Sequence, residues 1–283
     1  MTPDNPPPID PDRMPAPERG MEPAPDYHPR HPGVGKLKDQ VALVTGGDSG
    51  IGRAVAVLFA REGADVAIAY YDEDRDAEDT AAAIRDEGRE ALLIAGDLGE
   101  REHAFEAVRA TVERFGKLDI LVNNAAMQFL DAPFEEMDAT LLRRMLESNI
   151  LSAMYCTQAA LPHLENGGRI VNTTSVTAFK GSGGLVGYST TRGATLAFTR
   201  SLSKQAADRG IRINAVAPGP IWTPFIPGSF PPDAIEDFGK DTALGRPGQP
   251  WEVATSYLFL ASSDGSYFHG QTLHPNGGTV VNA

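Results

Sequence analysis

Val41-Ala-Leu-Val-Thr45-Gly46-Gly47-Asp48-Ser49-Gly50-Ile51-Gly52 is a short apolar run that breaks into glycines and then opens a helical pattern reaching Glu62. An apolar run without polar alternation is what a strand buried on both faces looks like. Glycines let the chain turn sharply and bring backbone N–H groups close to a ligand. A helix start just behind them adds partial positive charge. A glycine turn between strand and helix therefore predicts a cradle for a pyrophosphate, with Gly46, Asp48, Ser49, Gly50, Ile51 and Gly52 as candidate contacts.

Outward from this stretch the same alternation repeats. Apolar runs at 65–70, 91–95, 118–122, 169–172 and 211–216 are separated by helical patterns near 76–88, 100–115, 138–164 and 186–209. Strands alternating with helices imply right-handed crossovers and a parallel sheet. The fold class is α/β: a single Rossmann-type doubly wound domain. Ligands of such sheets sit beyond the carboxyl ends of the strands, so chemistry is expected just after Val44, Ala69, Ala95, Val122, Thr173 and Val216.

Residues 1–35 differ from the rest, and the domain is expected over 36–283. Half of the 22 prolines lie between Pro3 and Pro32, with almost no aliphatic residues among them. Such a composition cannot offset its ordering entropy by burial. Two readings stay open: a solvated tail, or an arm that lies across a neighbouring subunit, with Met14, Met21 and Tyr27 as anchors. At 283 residues the chain is long enough to bury a substantial core. Its net charge of −13 repels phosphate backbones, so no nucleic-acid partner is expected. The single cysteine, Cys156, cannot form an internal disulfide, which fits a reducing compartment. No apolar run approaches the length of a membrane span, and the start lacks the pattern of a signal peptide. A cytoplasmic location and no membrane partner follow as expectations. His103, His163, His269 and His274 have no metal-ligand spacing, so no metal is expected.

After the second strand the chain reads Tyr70-Tyr71-Asp72-Glu73-Asp74. An acidic side chain here accepts bonds from a free ribose 2′-hydroxyl, whereas a basic one suits a 2′-phosphate. Asp72 is the best candidate and argues mildly for NAD. Arg53 and Arg75 lie near in sequence, which leaves NADP open. After the fifth strand stand Ser175, Tyr188 and Arg192. Tyr188 and Arg192 are four apart on an expected helix and so share one face. A phenol ordinarily ionises near pH ~10, and a neighbouring cation favours its phenolate. A serine hydroxyl beside it would orient a carbonyl or alcohol oxygen.

Together, Thr45-Gly-x-x-x-Gly-Ile-Gly52, Asn123-Asn-Ala-Ala126, Asn149, Ser175, Tyr188 and Pro218-Gly219 resemble the short-chain dehydrogenase/reductase family over roughly residues 37–283. The resemblance implies a seven-stranded parallel Rossmann sheet, a homotetramer, and hydride transfer between NAD or NADP and a carbonyl/alcohol substrate. It further implies that Asp97 contacts the adenine, that Asn123 braces the central sheet, and that Leu98, Asn124, Ala125, Pro218, Gly219 and Ile221 lie along the cofactor. Asn149 would hold a relay water, Ser175 the substrate oxygen, and Thr223 the nicotinamide carboxamide, while Tyr188 exchanges the proton. The proline-rich start, the Gly46-Gly47-Asp48-Ser49-Gly50 turn and Ala217–Pro224 are similar to a bacterial subgroup described as general-stress or glucose/ribitol-dehydrogenase-like oxidoreductases. The substrate class is then an aldehyde, ketone, sugar or polyol.

The family's Tyr-x-x-x-Lys is here Tyr188-Ser-Thr-Thr-Arg192. Arginine keeps the charge but is bulkier, planar and always protonated, so the exchange is not conservative at a tight site. An active enzyme is expected. The alternative is a cofactor-binding protein with impaired catalysis that acts through assembly or partners. A lyase or epimerase is disfavoured, because no further acid/base pair stands beside Tyr188. A smaller departure is Ala126, where the family often has glycine. Trp222, Phe225, Ile226, Phe230 and Phe238 are expected to form a lid, with Gln128, Phe129 and Lys180 also facing the pocket.

Overall fold

A computed structural model describes residues 16–164, 167–231 and 235–281. Seven parallel strands stand in the order β3-β2-β1-β4-β5-β6-β7. They are β1 (Val41–Thr45), β2 (Asp65–Tyr70), β3 (Ala91–Ala95), β4 (Ile120–Asn123), β5 (Arg169–Thr173), β6 (Arg212–Val216) and β7 (Thr272–Leu273). The winding direction reverses between β1 and β4, which opens a crevice at their carboxyl ends.

Side-chain alternation divides the core into two layers. Ala42 and Val44 of β1 face a cluster with Val55 and Phe59 of α1 (Gly50–Arg61). Leu43, between them, faces the opposite cluster with Ala104 and Val108 of α3 (Arg101–Phe115) and Cys156 of α5 (Ser152–Ala160). Both faces of the sheet are covered at its central strands, which is why these read as unbroken apolar runs. Helices α2 (Asp74–Asp86), α4 (Ala139–Leu146) and α7 (Val186–Ala206) complete the pattern read from sequence, and a short α6 (Thr177–Lys180) stands where a loop was expected. A last helix, α8 (Pro250–Ala261), was not legible as a periodic stripe. Val253, Ala254, Tyr257, Leu258, Leu260 and Ala261 are buried on one face, but the partly buried Trp251 and Phe259 put apolar side chains off that face and blur the stripe. Its sequence signal is the start, Gln249-Pro250-Trp251-Glu252, where Glu252 Oε2 accepts the Gln249 N–H at 2.8 Å.

Two expectations change. The helix expected over 138–164 is instead α4, a π-helical turn at Glu147–Leu151, and α5. The widened turn re-aims Asn149 into the interior, a use to which π-turns are often put. The second concerns the proline-rich segment. Its described part, from Ala16, lies against its own domain: Trp222 Nε1 donates to Pro23 O at 2.7 Å and Asp26 N–H to Gln249 Oε1 at 2.9 Å. Met14 falls outside the described residues.

Candidate active site

At the reversal point a cavity of about 430 Å³ opens between the glycine turn and the 222–230 segment. Its walls include Gly46, Asp48, Ser49, Gly50, Ile51, Asp97, Leu98, Asn124, Ala125, Ser175, Tyr188, Arg192, Pro218, Gly219, Ile221 and Thr223. Of the remaining candidates, Gly52 lies one layer behind the turn and Asn149 is buried behind Met127. Asp72 is exposed and does not line the cavity; Tyr70 and Tyr71 occupy that wall instead. The turn after β2 points Asp72 to solvent, while Asp48, beside the glycine turn, lines the cavity, and its burial pushes its pKa up. Arg53 does not line the cavity either: it is buried and donates to Asp48 O and Asp76 O.

The glycine turn is built by close backbone approach. Gly46 has φ +60°, and its N–H donates to Ala69 O at 2.7 Å, tying the turn to the end of β2. A Cβ on Gly52 would stand 1.8 Å from Gly46 O and 2.8 Å from Asn124 Nδ2. Asn124 Nδ2 in turn donates to Gly46 O at 3.1 Å, and Thr45 Oγ1 accepts from the N–H groups of Asn124 and Ala125. Gly52→Ala is expected to destabilise the fold by about 3 kcal/mol through overpacking. A cooperative melt at the native midpoint would exclude this account of the turn.

At the other end, β5 delivers Ser175 and α7 delivers Tyr188 and Arg192. Ser175 Oγ accepts from Thr177 N–H at 3.2 Å and Thr177 Oγ1 at 3.1 Å, so its own proton is left to donate toward the cavity. The start of α7 is pinned by Asp131 Oδ2, which accepts the Gly187 N–H at 3.0 Å. Asn149 Oδ1 accepts the Met127 N–H at 2.7 Å, while Nδ2 donates to Met127 O and to Thr191 Oγ1, at 2.8 and 3.1 Å. It therefore clamps the loop after β4 to the Tyr188 helix. Asn123 Nδ2 donates to Asn172 Oδ1 at 2.8 Å and to Thr157 Oγ1 at 3.0 Å, joining β4 to β5 and α5.

Arg192 is buried, with its guanidinium carbon 4.8 Å from the Tyr188 ring centroid. Its Nη1 donates to Thr173 O at 2.8 Å, and its buried Nε has no partner among the described residues. Asp131 and Thr191 were not singled out from sequence, because their roles depend on which segments meet once the chain has folded. Cys156 is buried in the core with its thiol pushed up to about 12, which suits packing rather than nucleophilic chemistry.

The substrate side is apolar. Met127, Phe129, Met145, Leu185 and Tyr188 form one cluster against which Phe225 and Phe230 pack. Phe225, Ile226, Phe230, Phe238, Gln128 and Lys180 line the cavity, whereas Phe129 and Trp222 do not. The Gln128 amide nitrogen is buried without a partner among the described residues.

Comparison with known proteins places this geometry. A family model described as enoyl-(acyl carrier protein) reductase matches residues 46–280. The chain is 48% identical to NADPH-dependent aldehyde reductase 1 of Arabidopsis thaliana, covering 95% of this chain and 96% of that one. It is 45% identical to glucose and ribitol dehydrogenase of Daucus carota, covering 95% of each. A crystal structure of a short-chain dehydrogenase from Burkholderia cenocepacia in complex with NADP superposes with a TM-score of 0.80. That pair is 33% identical, over 86% of this chain and 98% of the other.

Proposed function

The chain belongs to the short-chain dehydrogenase/reductase family and is an NAD(P)-dependent oxidoreductase of CH–OH and carbonyl groups, and from that premise we propose that Tyr188 is its acid/base and Arg192 serves in place of the family's lysine. The support is the juxtaposition of the Tyr188 ring with a buried guanidinium that has no carboxylate partner among the described residues.

The residues present fit a nicotinamide dinucleotide. The turn at Gly46–Gly52 is locked by close backbone approach and presents Gly46, Ser49, Gly50 and Ile51 to the cavity, and the buried Arg192 Nε is a donor that a ribose hydroxyl would satisfy. When bound, that group gives or takes the hydride. In the reductive direction Ser175 donates a hydrogen bond to the substrate carbonyl oxygen, and Tyr188 delivers its proton to that oxygen as negative charge develops there. Arg192 stabilises the charge left on the phenolic oxygen, and Asn149 holds Thr191 and Met127 so that the tyrosine keeps its place. The apolar wall of Leu185, Phe225 and Phe230 excludes water from the reacting centre.

The substrate is a small aldehyde, ketone, sugar or polyol. NAD is preferred over NADP, because the basic residues among the described cavity walls, Lys180 and Arg192, belong to the β5 side rather than to the end of β2. One observation favours the second reading: the Arg144 guanidinium lies 5.8 Å from the Tyr71 ring centroid, and neither an ion pair nor a carboxylate acceptor is formed by it among the described residues. kcat/KM for NAD is expected to exceed that for NADP by about tenfold, a 1.4 kcal/mol difference. A reversed ratio that Arg144→Gln abolishes would replace NAD with NADP. A homotetramer in the cytoplasm completes the proposal; exposed Leu146 and Met154, on α4 and α5, supply apolar surface for subunit pairing, which light scattering checks. The decisive test is turnover of the native protein with both dinucleotides and a panel of aldehydes, ketones, sugars and polyols. No turnover with any of them would favour the cofactor-binding alternative.

A further inference from the structure

Helix α1 is the helix whose start supports the glycine turn, yet it lacks a cap of its own. Its N-cap residue, Ser49, makes no side-chain cap bond, and its first turn holds no acidic residue. The opening N–H groups of a helix need acceptors from elsewhere. One comes from 32 residues upstream: Gly50 N–H donates to Glu18 Oε2 at 2.7 Å. A carboxylate at this end is also favoured by the helix dipole.

The other Glu18 oxygen pairs with Arg53, and both side chains are almost wholly buried. Arg53 in turn holds the turn from inside. Its Nε and Nη2 donate to Asp48 O at 3.0 and 2.8 Å, and Thr80 Oγ1 donates to the same carbonyl at 2.8 Å. Glu18 is itself fixed by its N–H, which donates to Asp76 Oδ2 at 2.8 Å, and its neighbour Arg19 pairs with Asp79 at 2.7 Å. The three residues Asp48, Ser49 and Gly50 therefore hang between a carboxylate delivered by the N-terminal segment and a guanidinium that this carboxylate neutralises.

The same segment fastens the facing wall. Pro23 O accepts the Trp222 indole N–H, and Asp26 bonds Gln249 Oε1 and the Trp251 N–H at the start of α8. Trp222 precedes Thr223, whose side chain lies 3.0 Å from where a Gly50 Cβ would be. One stretch of chain thus spans the glycine turn and the base of the 222–230 segment.

We propose that the N-terminal segment from Ala16 is a fixed strap of the dinucleotide cleft and that Glu18 is a positioning residue for cofactor binding. The inference rests on the cofactor lying along the glycine turn. It is independent of which residue moves the proton. Glu18 acts through Gly50 and Arg53: its carboxylate takes the Gly50 N–H and fixes the turn, so that the cavity wall formed by Asp48, Ser49, Gly50 and Ile51 is in place before any ligand arrives, which lowers the ordering cost of binding.

The test compares native protein with Glu18→Ala and Glu18→Gln. Dinucleotide Kd is measured by calorimetry without substrate, and KM and kcat by steady-state turnover. Glu18→Ala is expected to raise Kd and the cofactor KM about tenfold, with the carbonyl KM unmoved and the loss falling on KM rather than on kcat. Glu18→Gln retains an acceptor for Gly50 N–H and is expected to recover part of that loss. A Kd within about twofold of native in a cooperatively melting Glu18→Ala protein overturns the proposal. A tighter Kd also overturns it, since the carboxylate would then compete with the pyrophosphate for the helix start. If Glu18→Ala does not fold, Glu18→Gln decides: a Kd raised at least about threefold supports the strap, and an unchanged one removes it. Dinucleotide binding by a native protein that turns over no carbonyl would sink the Tyr188 proposal while leaving this one standing.

Discussion

Tyr188→Phe is expected to lower kcat by about 10³-fold, within the range that positioned proton transfer supplies, while leaving dinucleotide Kd within about twofold. The substitution removes one oxygen. The ring keeps its packing against Phe225, 5.8 Å between centroids, and its place beside the Arg192 guanidinium. Stability should therefore change by less than about 1 kcal/mol. Single-turnover rates with a small aldehyde separate chemistry from product release. Retention of more than about a tenth of native kcat would show that another group supplies the proton, and the Ser175 hydroxyl would be examined next.

Loss of the cation at position 192 should cost nearly as much, for two separable reasons. Arg192→Met keeps an unbranched stem of similar length but removes the charge beside Tyr188 and the donor to Thr173 O. The stranded carbonyl is buried, so destabilisation of about 1–3 kcal/mol is expected. The missing cation should lower kcat/KM by about 10²-fold and weaken dinucleotide binding about tenfold. Arg192→Lys keeps the charge on a shorter, single-point donor and is expected to retain most of the binding. Should Arg192→Lys turn over substrate while the native protein does not, the arginine has disabled the relay, and the cofactor-binding alternative takes over.

Much of the fold was legible because its strands are buried on both faces and its helices on one. The runs at 41–45, 65–70 and 91–95 needed no partner to identify them. The glycine turn was legible for a similar reason, since only glycine tolerates the approach of Gly46 O to position 52. Helix α8 was hidden because apolar Trp251 and Phe259 lie off its buried face and blur the stripe, and β7 because two residues carry no pattern. The π-turn at Glu147–Leu151 was hidden too, since its side chains keep a helical periodicity while its backbone bonds shift.

The amino-acid sequence alone determined the α/β class and the position of the cradle, because each rests on local spacing or on one residue's steric limits, whereas the candidates Asn149, Ser175, Tyr188 and Arg192 were offered by the family resemblance. Tertiary structure alone decided the partners. It turned Asp72 to solvent, buried Arg53 against Asp48 O, and set Arg192 against a β5 carbonyl. It also carried Glu18 across 32 residues to the start of α1. Such pairings depend on where distant segments cross once the core has closed, and no local periodicity encodes the path of a loop or of a proline-rich arm.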